Sequence, residues 1–206
     1  MLKYTIVALH DVLKTFPDDE QKVTNILNGF ECASNKDVEN FLKTKAVLFD
    51  KQGFSKTHLI YTSYKGEMVL VGYYALAYKS FVVKSSTKLS NTLRKRIAKF
   101  GQYDGELKQY TVSAPLIGQI GKNDKHRNLI SGDVLLHCAC KTVTAVQALV
   151  GGKFVYLECE EKPKLIEFYK SNGFVEFGRR ALEIDEIDEI DDTSQISLVQ
   201  LLKYLK

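Results

Sequence analysis

The sequence predicts a mixed α/β (α+β) fold, a mostly antiparallel sheet flanked by helices, and three observations lead there. Short β-branched and aromatic runs alternate with stretches of helical apolar spacing. Two strands early in the chain are joined by a tight Lys65-Gly66 turn, which makes a hairpin. A strand, a long apolar helix and another strand follow one another in the middle, as a crossover requires.

In order, Tyr4 to Leu9 reads as the first strand. Val38, Phe41, Leu42, Ala46 and Phe49 recur at threes and fours, so a helix is expected near residues 36 to 50. Thr57 to Tyr64 and Glu67 to Tyr78 are the hairpin, the second strand apolar on both faces and therefore central. Ser90 is placed to cap a helix whose inner side is Leu93 and Ile97. Leu107 to Gly121 is extended and carries Pro115, where an irregularity such as a bulge is expected. A polar loop, Lys122 to Asn128, feeds a helix from about Ser131 to Leu149, apolar almost all round and so expected to pack on more than one side. Gly151-Gly152 ends it, and Lys153 to Glu158 is a strand. Pro163 opens and Gly173 closes the next helix. Phe174 to Phe177 and Ile196 to Leu205 are the last strands, with an acidic loop 181–193 between them.

The chain has 206 residues, 45% hydrophobic and 26% charged, which excludes disordered, collagen-like and fibrous classes. That length suits a single domain, 1–206, with a core that needs no disulfide or metal. The formal charge of +4 hides an asymmetry. Residues 181 to 192 hold seven acids and no base, leaving 29 cations against 18 acids, +11, elsewhere. The apolar run Met68 to Tyr78 is about half of the roughly 20 residues a membrane helix needs, and it reads as a buried strand. Asp11 breaks the N-terminal apolar stretch before it resembles a secretion signal, and no lipidation motif is present. Cys32, Cys138, Cys140 and Cys159 lack metal-site spacing and read as reduced, core-filling residues of a cytoplasmic protein. Neither a metal nor a membrane is expected. His10, His58, His126 and His137 form no triad.

Two segments carry chemistry. Leu116–Leu136 (LIGQIGKNDKHRNLISGDVLL) is a strand, a basic loop and a helix start, and a run of amides at a helix start attracts anions. Downstream lie the strand Phe154 to Glu158 and then Phe168-Tyr169-Lys170-Ser171-Asn172-Gly173-Phe174. Together these resemble the GNAT family of acyl-CoA-dependent N-acetyltransferases, whose loop reads Arg/Gln-x-x-Gly-x-Gly/Ala. Arg127-Asn128-Leu129-Ile130-Ser131-Gly132 matches it, with Ile130 standing where the family has its first glycine. Phe30-Glu31-Cys32, Val38 to Ala46 and Val71-Gly72-Tyr73-Tyr74-Ala75-Leu76 are similar to the branch that includes toxins acetylating the amino group of aminoacyl-tRNA.

The resemblance implies a twisted sheet in which strands 108–121 and 153–158 splay apart around the coenzyme. It implies that the backbone of Ile120, Gly121 and Lys122 pairs with the pantetheine arm. Arg127, Asn128, Leu129, Ile130, Ser131 and Gly132 would hold the pyrophosphate of acetyl-CoA. Tyr169, four residues before Gly173-Phe174, would protonate the departing thiolate, a task that suits a phenol neutral at pH 7. Lys162 stands where an Asn often begins this helix. By topology Glu158 and Glu160 are the candidates for the base, with water as the other acceptor. The function expected is acetyl transfer from acetyl-CoA to a primary amine by direct attack. Its alternatives are toxin-like acetylation of aminoacyl-tRNA and a non-catalytic acyl-CoA-binding module. The basic stretch 84–101 reads either as a tRNA contact or as a solvated helix face, and the acidic run as a lip attracting cationic amines, as an internal mimic covering the basic surface, or as a solvated loop. A homodimer is open to it.

Overall fold

The computed structural model describes residues 3–181 and 197–206. The acidic run 182–192 lies outside the described residues, apart from Ala181 at its start. Eight strands form one sheet in the order β1–β2–β3–β5–β6–β8–β7, with β4 paired to β5. Two compact units divide the chain: Met1–Ala77 with Ile117–Thr142, and Tyr78–Leu116 with Val143–Lys206. The long strands β3 (Glu67–Lys84) and β5 (Gln109–Lys122) and the helix α6 (Gly132–Val150) run through both.

In the first unit β1 (Tyr4–Ala8) pairs antiparallel with β2 (Lys56–Tyr64), and β2 with β3. Lys65 and Gly66 both take positive φ, the geometry that a two-residue turn needs to follow the twist of its strands. Two helices absent from the sequence reading, α1 (Leu9–Thr15) and α2 (Glu20–Asn28), precede the expected one. Asp19 caps α2 by accepting the Lys22 N–H at 2.9 Å, and Val23 and Leu27 point inward. The third helical segment spans α3 (Lys36–Asn40), a π turn (Phe41–Lys45) and α4 (Ala46–Gln52). Phe41 and Ala46 are both buried although five residues apart, a spacing an α-helix would swing by about 140°. The π turn, in which the Ala46 N–H reaches the Phe41 carbonyl, keeps both on the core side. They join Leu9, Leu27, Phe30, Leu42, Leu59 and Tyr73 in one cluster.

Close approach explains one glycine here. A Cβ on Gly121 would stand 2.5 Å from Val38 Cγ1 and 3.3 Å from Phe30, so only a hydrogen leaves room for α3 against β5.

In the second unit α5 (Asn91–Phe100) begins at Ser90, whose hydroxyl accepts the Leu93 N–H at 3.3 Å. Leu93 and Ile97 face inward, as their spacing predicts. They pack with Phe81, Phe154, Tyr156, Phe177 and Leu202. A short β4 (Gln102–Asp104) pairs with the start of β5, which runs unbroken through Pro115. β6 (Phe154–Glu160) and β7 (Val175–Ala181) both pair antiparallel with β8 (Ser197–Tyr204).

Helix α6 departs from expectation at its end. It is long and apolar enough by composition to cross a bilayer. Leu135, Leu136, Ala139, Cys140 and Val143 are buried, which makes the first two-thirds a core helix, but Leu149 is 88% exposed. Apolar composition on every side does not make every side buried.

His58 on β2 stacks on Tyr74 with ring centroids 4.9 Å apart, and the Tyr74 hydroxyl lies 2.7 Å from that of Thr142. Its Nδ1 is buried without a partner, and burial pushes its pKa below 6.5. The unfolded chain therefore takes up this proton at a higher pH than the folded one does. The contribution of neutral His58 is fully present above pH 6.5 and is lost as the pH falls through the lower folded value. Urea unfolding between about pH 7 and 5 should show stability falling with acid, and His58→Gln should flatten that slope. An unchanged slope in the variant would exclude His58 as its source.

Candidate functional site

The loop after β5 is built on Asn123. This side chain is 1% exposed, and each of its hydrogen-bonding atoms meets backbone. Its Oδ1 accepts the N–H of Glu31 (3.1 Å) and of Lys125 (3.2 Å). Its Nδ2 donates to the carbonyls of Gly29 (3.1 Å) and Leu70 (2.9 Å), while its own N–H reaches Val71 O at 2.9 Å. Asp124 adds two bonds to the same segment: its N–H to Glu31 O at 2.8 Å, and its Oδ2 from the Ala33 N–H at 2.7 Å. The loop is thereby fastened to β3 and to residues 29–33. Sequence reasoning missed Asn123; its one signal is an amide side chain at the junction of a strand and a short 3₁₀ turn, Asp124–His126.

Beyond that turn, Leu129 N–H bonds His126 O (2.9 Å), and Leu129 O accepts the Tyr4 hydroxyl (2.8 Å). Ile130 is 3% exposed, its side chain in the core. Among the described residues the positive-φ positions other than glycine are Lys65 and Lys108, so Ile130 stands at this position without left-handed backbone. Ser131 Oγ accepts the Val134 N–H at 3.2 Å, and Ser131 O accepts that of Leu135, which sets Gly132 at the head of α6. Lys122, Lys125 and Arg127 bring cations to this end, beside the imidazole of His126. Lys122 Nζ reaches Arg127 O at 3.4 Å, closing the loop on itself. Ile120, Gly121 and Lys122 are the last residues of β5, and Arg127, Asn128 and Leu129 line a cavity with Tyr64. The loop residues singled out from sequence thus share one end of the first unit.

Tyr169 and Glu158 belong to the second unit. Pro163 starts α7 (Pro163–Ser171), and Gly173, with φ of 82°, ends it. Tyr169 is 6% exposed, with Phe168 at 5.2 Å and Phe174 at 5.9 Å between ring centroids. Burial, and secondarily the neighbouring Cys159, hold its phenol well above the ordinary value, so it is neutral across the physiological range.

Glu158 on β6 is engaged on both oxygens. Oε2 accepts from Arg180 Nε at 2.7 Å and Oε1 from Gln200 Nε2 at 2.8 Å. Glu160 pairs with Lys162. On α5, Arg94, Lys95 and Lys99 are exposed, while Arg96 lies over the Tyr204 ring at 4.0 Å.

A buried amide such as Asn123 is costly to remove because its partners stay behind. Asn123→Ala should cost on the order of 3 kcal/mol or more in urea unfolding. A loss under about 1 kcal/mol would mean that water replaces the amide.

No family model and no curated protein matches the sequence. Solved structures do. A tyrosine-to-phenylalanine mutant of KacT is 17% identical with a TM-score of 0.61, covering 96% of this chain and 94% of its own. AtaT complexed with acetyl-methionyl-tRNAfMet is 18% identical with a TM-score of 0.59, over 96% and 94%. AtaTR bound with AcCoA is 20% identical with a TM-score of 0.55, over 96% and 92%. The chain therefore shares the fold of AtaT and KacT.

Proposed function

We propose that the chain is an acetyl-CoA-dependent N-acetyltransferase whose acceptor is the amino group of an aminoacyl-tRNA. The observation that carries this reading is a fold shared, over nearly the whole chain, with AtaT, which is known bound both with AcCoA and with acetyl-methionyl-tRNAfMet. The positive body of the chain supports it, since sequence-independent affinity for a phosphate backbone requires cations and the exposed face of α5 supplies several.

In this reading the amides of Arg127 to Gly132 and the start of α6 hold the coenzyme's pyrophosphate, and the end of β5 at Ile120, Gly121 and Lys122 pairs with the pantetheine arm. The neutral amine attacks the thioester carbonyl. As the C–S bond breaks, the Tyr169 phenol gives its proton to the thiolate and then regains one from water. The proton released by the amine passes to solvent, because Glu158 and Glu160, the carboxylates weighed for the base, are held by Arg180 and Lys162. Direct attack fits a set of residues that offers no nucleophile beside a base.

The test is transfer of label from acetyl-CoA to charged tRNA, to free amino acids and to small amines. Label should appear on charged tRNA; label on small amines alone would replace the acceptor. Tyr169→Phe should bind acetyl-CoA like the parent and lose roughly a hundredfold or more in turnover. Gly132→Glu should lose binding. A Tyr169→Phe enzyme within about threefold of the parent would remove Tyr169 from the mechanism.

A further inference from the structure

A second cavity, of about 150 Å³, lies in the second unit, where the end of β3 and the loop 84–90 meet α5. Its floor is apolar: Val83 and Ile97 are 3% and 1% exposed and belong to the aromatic core of this unit, with Leu89 packed against it. Tyr110 on β5 supplies an aromatic wall, and its ring is braced by Tyr103 with centroids 4.9 Å apart. Two exposed cations, Lys84 and Arg94, stand at the rim. From Lys84 to Gly101 the chain carries six cations and no acid, so its own segment does nothing to neutralise them. The rim is ordered in advance. The Ser85 N–H donates to Lys108 O at 2.8 Å, the Thr87 N–H to Lys84 O at 3.0 Å, and Arg94 Nη2 to Thr87 O at 2.9 Å. Among the described residues that last bond engages one nitrogen of the guanidinium, and its other donors remain for a ligand.

These parts narrow the ligand. A bare phosphate gains nothing from an apolar floor and an aromatic wall, and an uncharged ring gains little from paired cations. The volume is well short of the several hundred cubic ångströms that a whole cofactor occupies, and so suits one ring system. We propose that this cavity binds one 5′-phosphorylated nucleoside, its base on the Tyr110 ring above Val83 and Ile97 and its phosphate between Lys84 and Arg94. The hydroxyls of Ser85 and Thr87 line the same opening and offer donors and acceptors to the ribose. The nucleoside comes either as a free mononucleotide or as one unpaired residue of an RNA strand, which presents the same ring and phosphate. Every lining residue belongs to the second unit, so the site stands whether or not the coenzyme reading holds.

The probes are adenosine 5′-monophosphate, adenosine, inorganic phosphate and a short single-stranded oligoadenylate, titrated calorimetrically against the whole protein. The monophosphate should bind roughly tenfold or more tighter than adenosine or phosphate alone, because each of those fills half of the site. Tyr110→Ala should weaken it about tenfold, and Tyr110→Phe should leave it unchanged, since the ring rather than the hydroxyl does the stacking. Arg94→Ala should weaken it by a similar factor and flatten its dependence on salt, whereas Tyr110→Ala should keep the salt dependence of the parent. Unchanged urea-unfolding midpoints in the three variants separate a lost site from a lost fold. Oligoadenylate bound tighter than the monophosphate, and weakened by Tyr110→Ala, identifies a strand as the source; binding no tighter identifies the free nucleotide. A monophosphate that binds no better than inorganic phosphate, or that binds Tyr110→Ala as it binds the parent, would overturn the proposal. Transfer of label to charged tRNA is read separately, so the two readings fail independently.

Discussion

Much of the first unit depends on the buried amide of Asn123. Six hydrogen bonds, four through its side chain, fix where β5 stops, where residues 29–33 run and how the basic loop leaves the sheet. Few side chains could do this. Two backbone carbonyls need donors and two N–H groups need an acceptor, all inside the core, and the neutral carboxamide is the short side chain that offers both. A carboxylate would bury a charge and leave Gly29 O and Leu70 O unpaired.

With the loop so anchored, an isoleucine at position 130 costs little. A glycine there serves backbone freedom, and a loop held at Asn123, Leu129 and Ser131 can reach the head of α6 without left-handed backbone. Ile130 then becomes a core residue and adds apolar burial to the junction. The need for minimal volume has moved upstream to Gly121, where Val38 and Phe30 press against β5.

Charge is arranged with similar division of labour. Carboxylates near the core are matched: Glu39, drawn down to about 2 by Lys43, the Cys32 N–H and Lys36; Glu158 with Arg180; and Asp50 with Lys56 at 2.9 Å. These pairs hold elements together and leave proton transfer to others. Arg94, Lys95 and Lys99 on α5 and Lys125 and Arg127 on the loop face solvent.

Periodicity and caps located most elements, because the hydrophobic pattern of 38–49, the Lys65-Gly66 turn, Ser90, Pro163 and Gly173 act within a few residues of chain. The resemblance to acyl-CoA motifs rests on local features for the same reason, an amide-rich helix start and a tyrosine before Gly-Phe. Helices α1 and α2 escaped because each is short and polar on its outer side and is stabilised largely by packing, α1 against β1, β2 and α4 and α2 against the π turn. By itself the sequence determined the fold class and singled out the loop 122–132 and Tyr169 as candidates, all from properties of neighbouring residues. Tertiary structure alone decided that Asn123 anchors that loop, that the Ile130 side chain is in the core, that Glu158 is tied to Arg180, and that Tyr64 joins His126. Each of those depends on residues at least 22 apart in the chain, and the free energy that joins them comes from burial, which no local pattern records.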